Sequence, residues 1–204
     1  MYYRGILRAI GNFKINIVIK ILIVSDFLVW SSYNLLAPVF AIFITDKIQD
    51  AGIETVGIAA ALYFFSKSVA EIPVGIYIDK KKGEKDDLYT AIIGTIFCAV
   101  GYFLYIFVSQ IWQLYALQIF IGITNALAFP GWYSIFTRHV DENKSGFEWS
   151  LYDVLMGLGI AGSAALGGFL AEKFGFNLLF ELVAIFTFIG AILLFLIRKK
   201  VYRS

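Results

Sequence analysis

Pro73-Val74-Gly75-Ile76-Tyr77-Ile78-Asp79-Lys80-Lys81-Lys82-Gly83 stands where a long apolar run stops at a short, strongly basic loop. A glycine, an aspartate four residues on, a lysine cluster and a second glycine form the pattern of a tight hairpin between two membrane helices. Small residues allow close helix approach, and lysines hold such a loop at the cytoplasmic face. The rest of the chain is read outward from this hairpin.

Composition sets the class. Of 204 residues, 60% are hydrophobic and 16% charged, and the mean hydropathy is +0.79. Soluble domains average about 45–50% apolar and 25% charged residues. The net charge of +2, spread over short loops, gives no nucleic-acid footprint. Cys98 is the single cysteine and lies in an apolar run, so neither a disulfide framework nor a metal cluster follows, and no cofactor is implied. No nucleophile-base-acid set or phosphate-binding glycine loop is recognisable, which argues against an enzyme.

A bilayer-spanning helix needs about 20 mostly apolar residues. Six segments qualify, at roughly 16–44, 54–78, 88–108, 111–138, 148–171 and 178–197. Their apolar runs are continuous, without period two, so helices are expected and not a barrel. Trp112 and Trp149 fall near span ends, where indoles suit the headgroup layer. Arg4, Arg8, Lys14 and Lys20 precede the first span, which is too long for a signal-peptide core and reads as a retained helix. Lys80, Lys81, Lys82 and Lys85 separate spans two and three; Arg138 and Lys144 separate four and five; Arg198, Lys199, Lys200 and Arg203 follow the sixth. The opposite loops hold only Lys47 and Lys173, so both termini are expected to be cytoplasmic, in a plasma (inner) membrane.

Spans one to three resemble spans four to six. Asn34-Leu35-Leu36-Ala37-Pro38 is echoed by Asn125-Ala126-Leu127-Ala128-Phe129-Pro130, and Gly75 to Asp79 by Gly168 to Glu172. Gly83 has its counterpart in Gly175, and Gly101 in Gly190. The expectation is one six-helix domain over residues 1–204, with repeats at about 12–108 and 109–200. Three spans is an odd number, so the second copy must be inverted across the bilayer. Chance similarity among glycine-rich helices is the plainer alternative.

On these residues the chain resembles the amino-terminal six-helix half of a major facilitator superfamily transporter. That family's loop between helices two and three carries Gly-x-x-x-Asp-Arg/Lys-x-Gly-Arg/Lys, which Gly75, Asp79, Lys80, Gly83 and Lys85 resemble. One extra residue separates Asp79 from Gly83, and Glu84 stands where a basic residue is usual. The family's fourth helix often has an arginine four residues before a glycine; here Gln118 precedes Gly122. The run from Gly162 to Gly175 is similar to the family's fifth helix. The resemblance implies alternating-access transport of a small-molecule substrate. Members usually have twelve helices, so it also implies either a second six-helix half, as a homodimer or a separate chain, or an incomplete product that is the N-terminal half alone. The loop would then act as a cytoplasmic latch.

Polar residues within spans are the site candidates, because ionisable groups there usually face a cavity or a partner. Asp26, Trp30 and Tyr33 recur at helical spacing in span one, with Asn34 beside Tyr33. Gln118, Asn125 and Trp132 recur every seven residues in span four. Helices one and four line the central path in the family, so the resemblance would make these stripes the substrate-facing surface. A carboxylate among aromatics and amides suits a small organic solute, cations included, with proton coupling at Asp26. Asn34 and Asn125 could equally bond neighbouring helices. Lys67 and Glu71 are expected to pair along span two, with Lys67 alternatively reaching Asp26. His139 reads as a solvated loop histidine. A non-transporting membrane subunit with a transporter-like fold is the rival function.

Overall fold

The computed structural model describes residues 15–81 and 83–201; Arg4, Arg8, Lys14, Lys82 and Arg203 lie outside the described residues. Six helices are long and apolar enough to cross a membrane: α1 (Ile17–Lys47), α2 (Ile53–Asp79), α3 (Lys85–Phe107), α4 (Ile111–His139), α5 (Ser145–Phe174) and α6 (Phe176–Val201). Among the described residues the architecture is all-α.

Local chemistry sets the helix ends. The Asn16 side chain accepts from the Val18 N–H at 3.0 Å and caps α1. Gly52 N–H donates to Thr55 Oγ1 at 3.1 Å at the start of α2, and Gln113 Oε1 accepts from the Ser109 and Gln110 amides before α4. Glu54, Asp86 and Asp87 occupy first turns, and Arg138, His139 and Lys173 last turns, the signs that helix dipoles favour. Gly83 (φ 102°) and Gly175 (φ 82°) both turn the chain through backbone space that side chains avoid. These counterparts therefore share a conformational role.

The helices outrun their apolar runs. α3 begins at Lys85, and α6 continues helically through Arg198, Lys199 and Lys200. The hairpin that opened the sequence reading is shorter than expected. Gly75 lies inside α2, Asp79 is its last residue, and only residues 80–84 link it to α3. A Cβ on Gly75 would meet nothing within 4 Å, so this glycine does not serve close approach within the chain. That part of the expectation is corrected. The two prolines also differ: Pro38 sits in a 3₁₀ turn at Ala37–Val39 that interrupts α1, whereas Pro130 lies inside an unbroken α4.

Side by side, the helices follow the order α2, α4, α3, α6, α1, α5. Advancing each helix by three maps α2·α4 onto α5·α1 and α3·α4 onto α6·α1. Glycines make the close contacts. A Cβ on Gly122 would stand 2.5 Å from the Tyr63 carbonyl, on Gly131 2.2 Å from the Asp87 carbonyl, and on Gly167 1.9 Å from the Leu35 carbonyl.

The core is divided by depth. One cluster gathers Phe43, Ile44, Tyr105, Leu114, Leu179 and Phe180; the other gathers Ile19, Leu22, Leu88, Ile135, Phe136 and Leu194. Small hydroxyls occupy the waist between them. Ser25 Oγ donates to the Gly190 carbonyl at 2.8 Å, Ser32 Oγ lies 3.4 Å from Thr187 Oγ1, and Cys98 Sγ lies 3.1 Å from Thr124 Oγ1. Lys20, Lys80, Lys81, Lys85, Arg138 and Lys144 gather at the second cluster's end, and Lys47 and Lys173 at the first cluster's end.

Candidate functional site

Two clefts open at the waist. Asp26, Trp30, Asn125 and Trp132 line one of them, together with Ser25, Thr95 and Cys98. The stripes of α1 and α4 thus converge, because the two helices lie across the cleft from one another. Asp26 is oriented by a third helix: Tyr152 Oη on α5 donates to Asp26 Oδ2 at 2.6 Å. Trp132 is 6% exposed, and its Nε1–H has no hydrogen-bond partner among the described residues. A buried N–H without a partner costs free energy unless an acceptor arrives. Its ring is held by Phe136, with centroids 4.9 Å apart, and by Tyr152 at 5.4 Å.

The second cleft is lined by Tyr33, Tyr63, Tyr102, Tyr105 and Gln118, with Phe40 and Phe64. Tyr102 lines both clefts and joins them. Trp30 and Tyr33 pack edge to face with centroids 6.2 Å apart, and Tyr33 tilts against Tyr102 at 6.1 Å. The two clefts therefore share one continuous aromatic wall.

Asn34 is not among the residues lining either cleft. Its Nδ2 donates to the Trp30 carbonyl at 2.8 Å, within its own helix. Asn125 Nδ2 does the same to the Ile121 carbonyl at 3.1 Å. Neither bond is the interhelical one considered from sequence. Lys67 Nζ lies 3.5 Å from Glu71 Oε2 and 5.1 Å from the centre of the Phe129 ring. The carboxyl of Asp26 is bonded to Tyr152 instead of to Lys67.

At the lysine-rich end, Lys81 Nζ donates to Tyr77 Oη and sits over its ring, 4.3 Å from the centroid. The hydroxyl acceptor raises the lysine's pKa above its ordinary value. An ionic network that sequence reasoning missed lies alongside. Asp87 is fully buried, and its Oδ2 accepts from Ser134 Oγ and Arg138 Nη1, each at 2.8 Å. Arg138 Nη1 also donates to the Gly83 carbonyl at 3.2 Å, tying the hairpin to α4. His139 Nδ1 lies 3.6 Å from Glu84 Oε1 with its side chain 15% exposed, so it is no solvated loop residue. Glu148 Oε2 accepts from the Asp141 N–H at 3.1 Å. The available signal was an acidic pair at the start of α3 facing Arg138-His139 at the end of α4. Only antiparallel α3–α4 packing makes them neighbours.

A family model described as Major Facilitator Superfamily matches residues 22–204. An uncharacterized MFS-type transporter of Methanocaldococcus jannaschii is 25% identical over 170 residues, covering 83% of this chain and 42% of that relative. A crystal structure of the POT family transporter PepTSo superposes with a TM-score of 0.76 at 17% identity, covering 93% of this chain and 39% of that one. The chain thus spans about two fifths of the length of both proteins.

Proposed function

The chain belongs to the Major Facilitator Superfamily, and from that membership we propose that it is a six-helix transport unit moving a small organic solute by alternating access. The observation that carries this reading is the convergence of Asp26, Trp30, Asn125 and Trp132 on one cleft at mid-depth. A carboxylate within a span is costly unless a cavity or a partner receives it. Tyr152 supplies one hydrogen bond, and the carboxyl also borders the cleft. Asp26 is the group on which proton coupling would act.

The neighbour order, which maps onto itself when each helix is advanced by three, supports two inverted three-helix repeats. It also supports a second six-helix half as partner. α2 and α5 occupy equivalent places in that order and are the least buried helices. They expose Phe65 (71%), Ile72 (69%) and Leu158 (67%). The glycines of the two echoed motifs, Gly75 and Gly168, are both open to added volume, as surfaces awaiting another helix would be. The lysine-rich end supports an orientation with that end, and both termini, at the cytoplasmic face of a plasma (inner) membrane.

Reconstitution tests the reading. Proteoliposomes carrying the full chain should accumulate at least one member of a solute panel, with uptake that responds to an imposed proton gradient. Asp26→Asn should abolish the gradient response while leaving the protein folded. Protein that moves no solute, alone or with an added six-helix half, would instead be a non-transporting subunit.

A further inference from the structure

We infer that the path is selective for organic cations: a protonated or quaternary amine whose charge sits beside Asp26 and whose apolar body lies along the tyrosine wall. This rests on the transport reading above and narrows it to a substrate class.

Two observations on charge carry it. Asp26 is the one charged residue among those lining the two clefts. Nearby Lys67 is held by Glu71, so that pair adds no net charge beside Phe129. A single carboxylate in a low-dielectric setting gives the path a negative potential that solvent screens weakly.

The wall has the matching chemistry. Tyr33, Tyr63, Tyr102 and Tyr105, with Phe40 and Phe64, surround the second cleft, and Trp30 continues the surface to Asp26. Aromatic faces carry negative quadrupole density and attract ammonium groups, more strongly where water is excluded. Tyr102 and Tyr105 are nearly fully buried, whereas Trp30, Tyr33 and Phe64 are exposed, so the inner part of the wall is the part shielded from water. An anionic solute would meet no positive lining residue to replace its hydration. A cation finds ring faces along the wall and a carboxylate at its end.

Three probes that share a phenylalkyl body test the inference on the full chain reconstituted in lipid vesicles: phenylethyltrimethylammonium, 4-phenylbutyrate and 2-phenylethanol. The expected result is saturable binding and flux of the cation alone. Asp26→Asn should weaken cation binding by about tenfold or more, and Asp26→Glu should restore most of it. Tyr33→Leu should weaken it by about threefold to tenfold, with Tyr33→Phe near wild type because the ring face is kept. Unchanged size-exclusion profiles would separate these effects from misfolding. Equal or tighter binding of the anion or the alcohol would overturn cation selectivity while leaving the transport reading intact. Cation affinity within twofold of wild type in Asp26→Asn would also overturn it. If no probe moves and a broad solute panel is likewise inert, the transport reading falls with it.

Discussion

Asp87 Oδ2 takes hydrogen bonds from Ser134 and Arg138, while Oδ1 is buried without a partner among the described residues. Such a carboxylate depends on its cation, because removing one partner of a buried pair strands the other charge. Arg138 is 40% exposed, so solvent offsets part of that loss. Arg138→Ala is expected to destabilise by about 2 kcal/mol, read as a lower thermal midpoint of the detergent-solubilised protein. Asp87→Asn should cost less, and the double variant should recover part of the Arg138→Ala loss. Additive losses would show that the pair is not coupled. Tyr152 supplies a second residue-scale prediction. Tyr152→Phe removes the bond to Asp26 and should shift the pH profile of uptake with little effect on folding; an unmoved profile would make Tyr152 a packing residue only.

The helices set the next scale, where adjacent residues separate two roles of glycine. A Cβ on Gly167 would collide with the Leu35 carbonyl, whereas one on Gly168 would meet open space. Gly167→Ala should push α5 off α1 and cost several kcal/mol or prevent folding. Gly168→Ala should be neutral, or stabilising by up to about 1 kcal/mol, from improved helix propensity. Comparable thermal midpoints for the two variants would refute this placement of α5. The six helices themselves were legible in the sequence, since long apolar runs leave few alternatives in a bilayer. Their ends were not. Lys85 and Arg198 to Lys200 look like loop by charge, yet a helix runs on where its polar side chains reach headgroups and water. Asp26 and the α1 and α4 stripes were visible through their spacing. The Asp87–Arg138 pair was hidden because its members lie 51 residues apart on different helices, and Arg138 read only as a marker of sidedness. Gly75 was misread for the same reason: spacing shows a small residue but not what faces it.

For the molecule as a whole, the exposed faces of α2 and α5 are unlike those of α3 and α6. In their most apolar stretches, 17% of the residues of α2 and of α5 are buried, against 50% in α3 and 44% in α6. Lipid can cover any apolar face, so exposure alone does not identify a protein partner; the open motif glycines Gly75 and Gly168 are the feature that a second helix would use. A photo-crosslinking amino acid at Phe65 or Leu158 in native membranes should yield a higher-mass protein adduct. The same group at Phe188, exposed on α6, should label lipid only. Protein adducts at all three sites, or at none, would remove the case for a second half on this side.

The division of the core by depth has a mechanical consequence. Bulky apolar side chains lock the helices together at the two ends, while Ser25, Ser32, Cys98, Thr124 and Thr187 join them at the waist through small groups. Small hydroxyl contacts, each contributing about 0.6 kcal/mol within a membrane, accommodate tilt better than interlocked rings do. The body is therefore stiff at its ends and compliant at its centre, like a beam resting on a fulcrum. Tilting a helix about that level widens one end as it narrows the other, and Asp26 lies close to the pivot, where the lever arm is shortest.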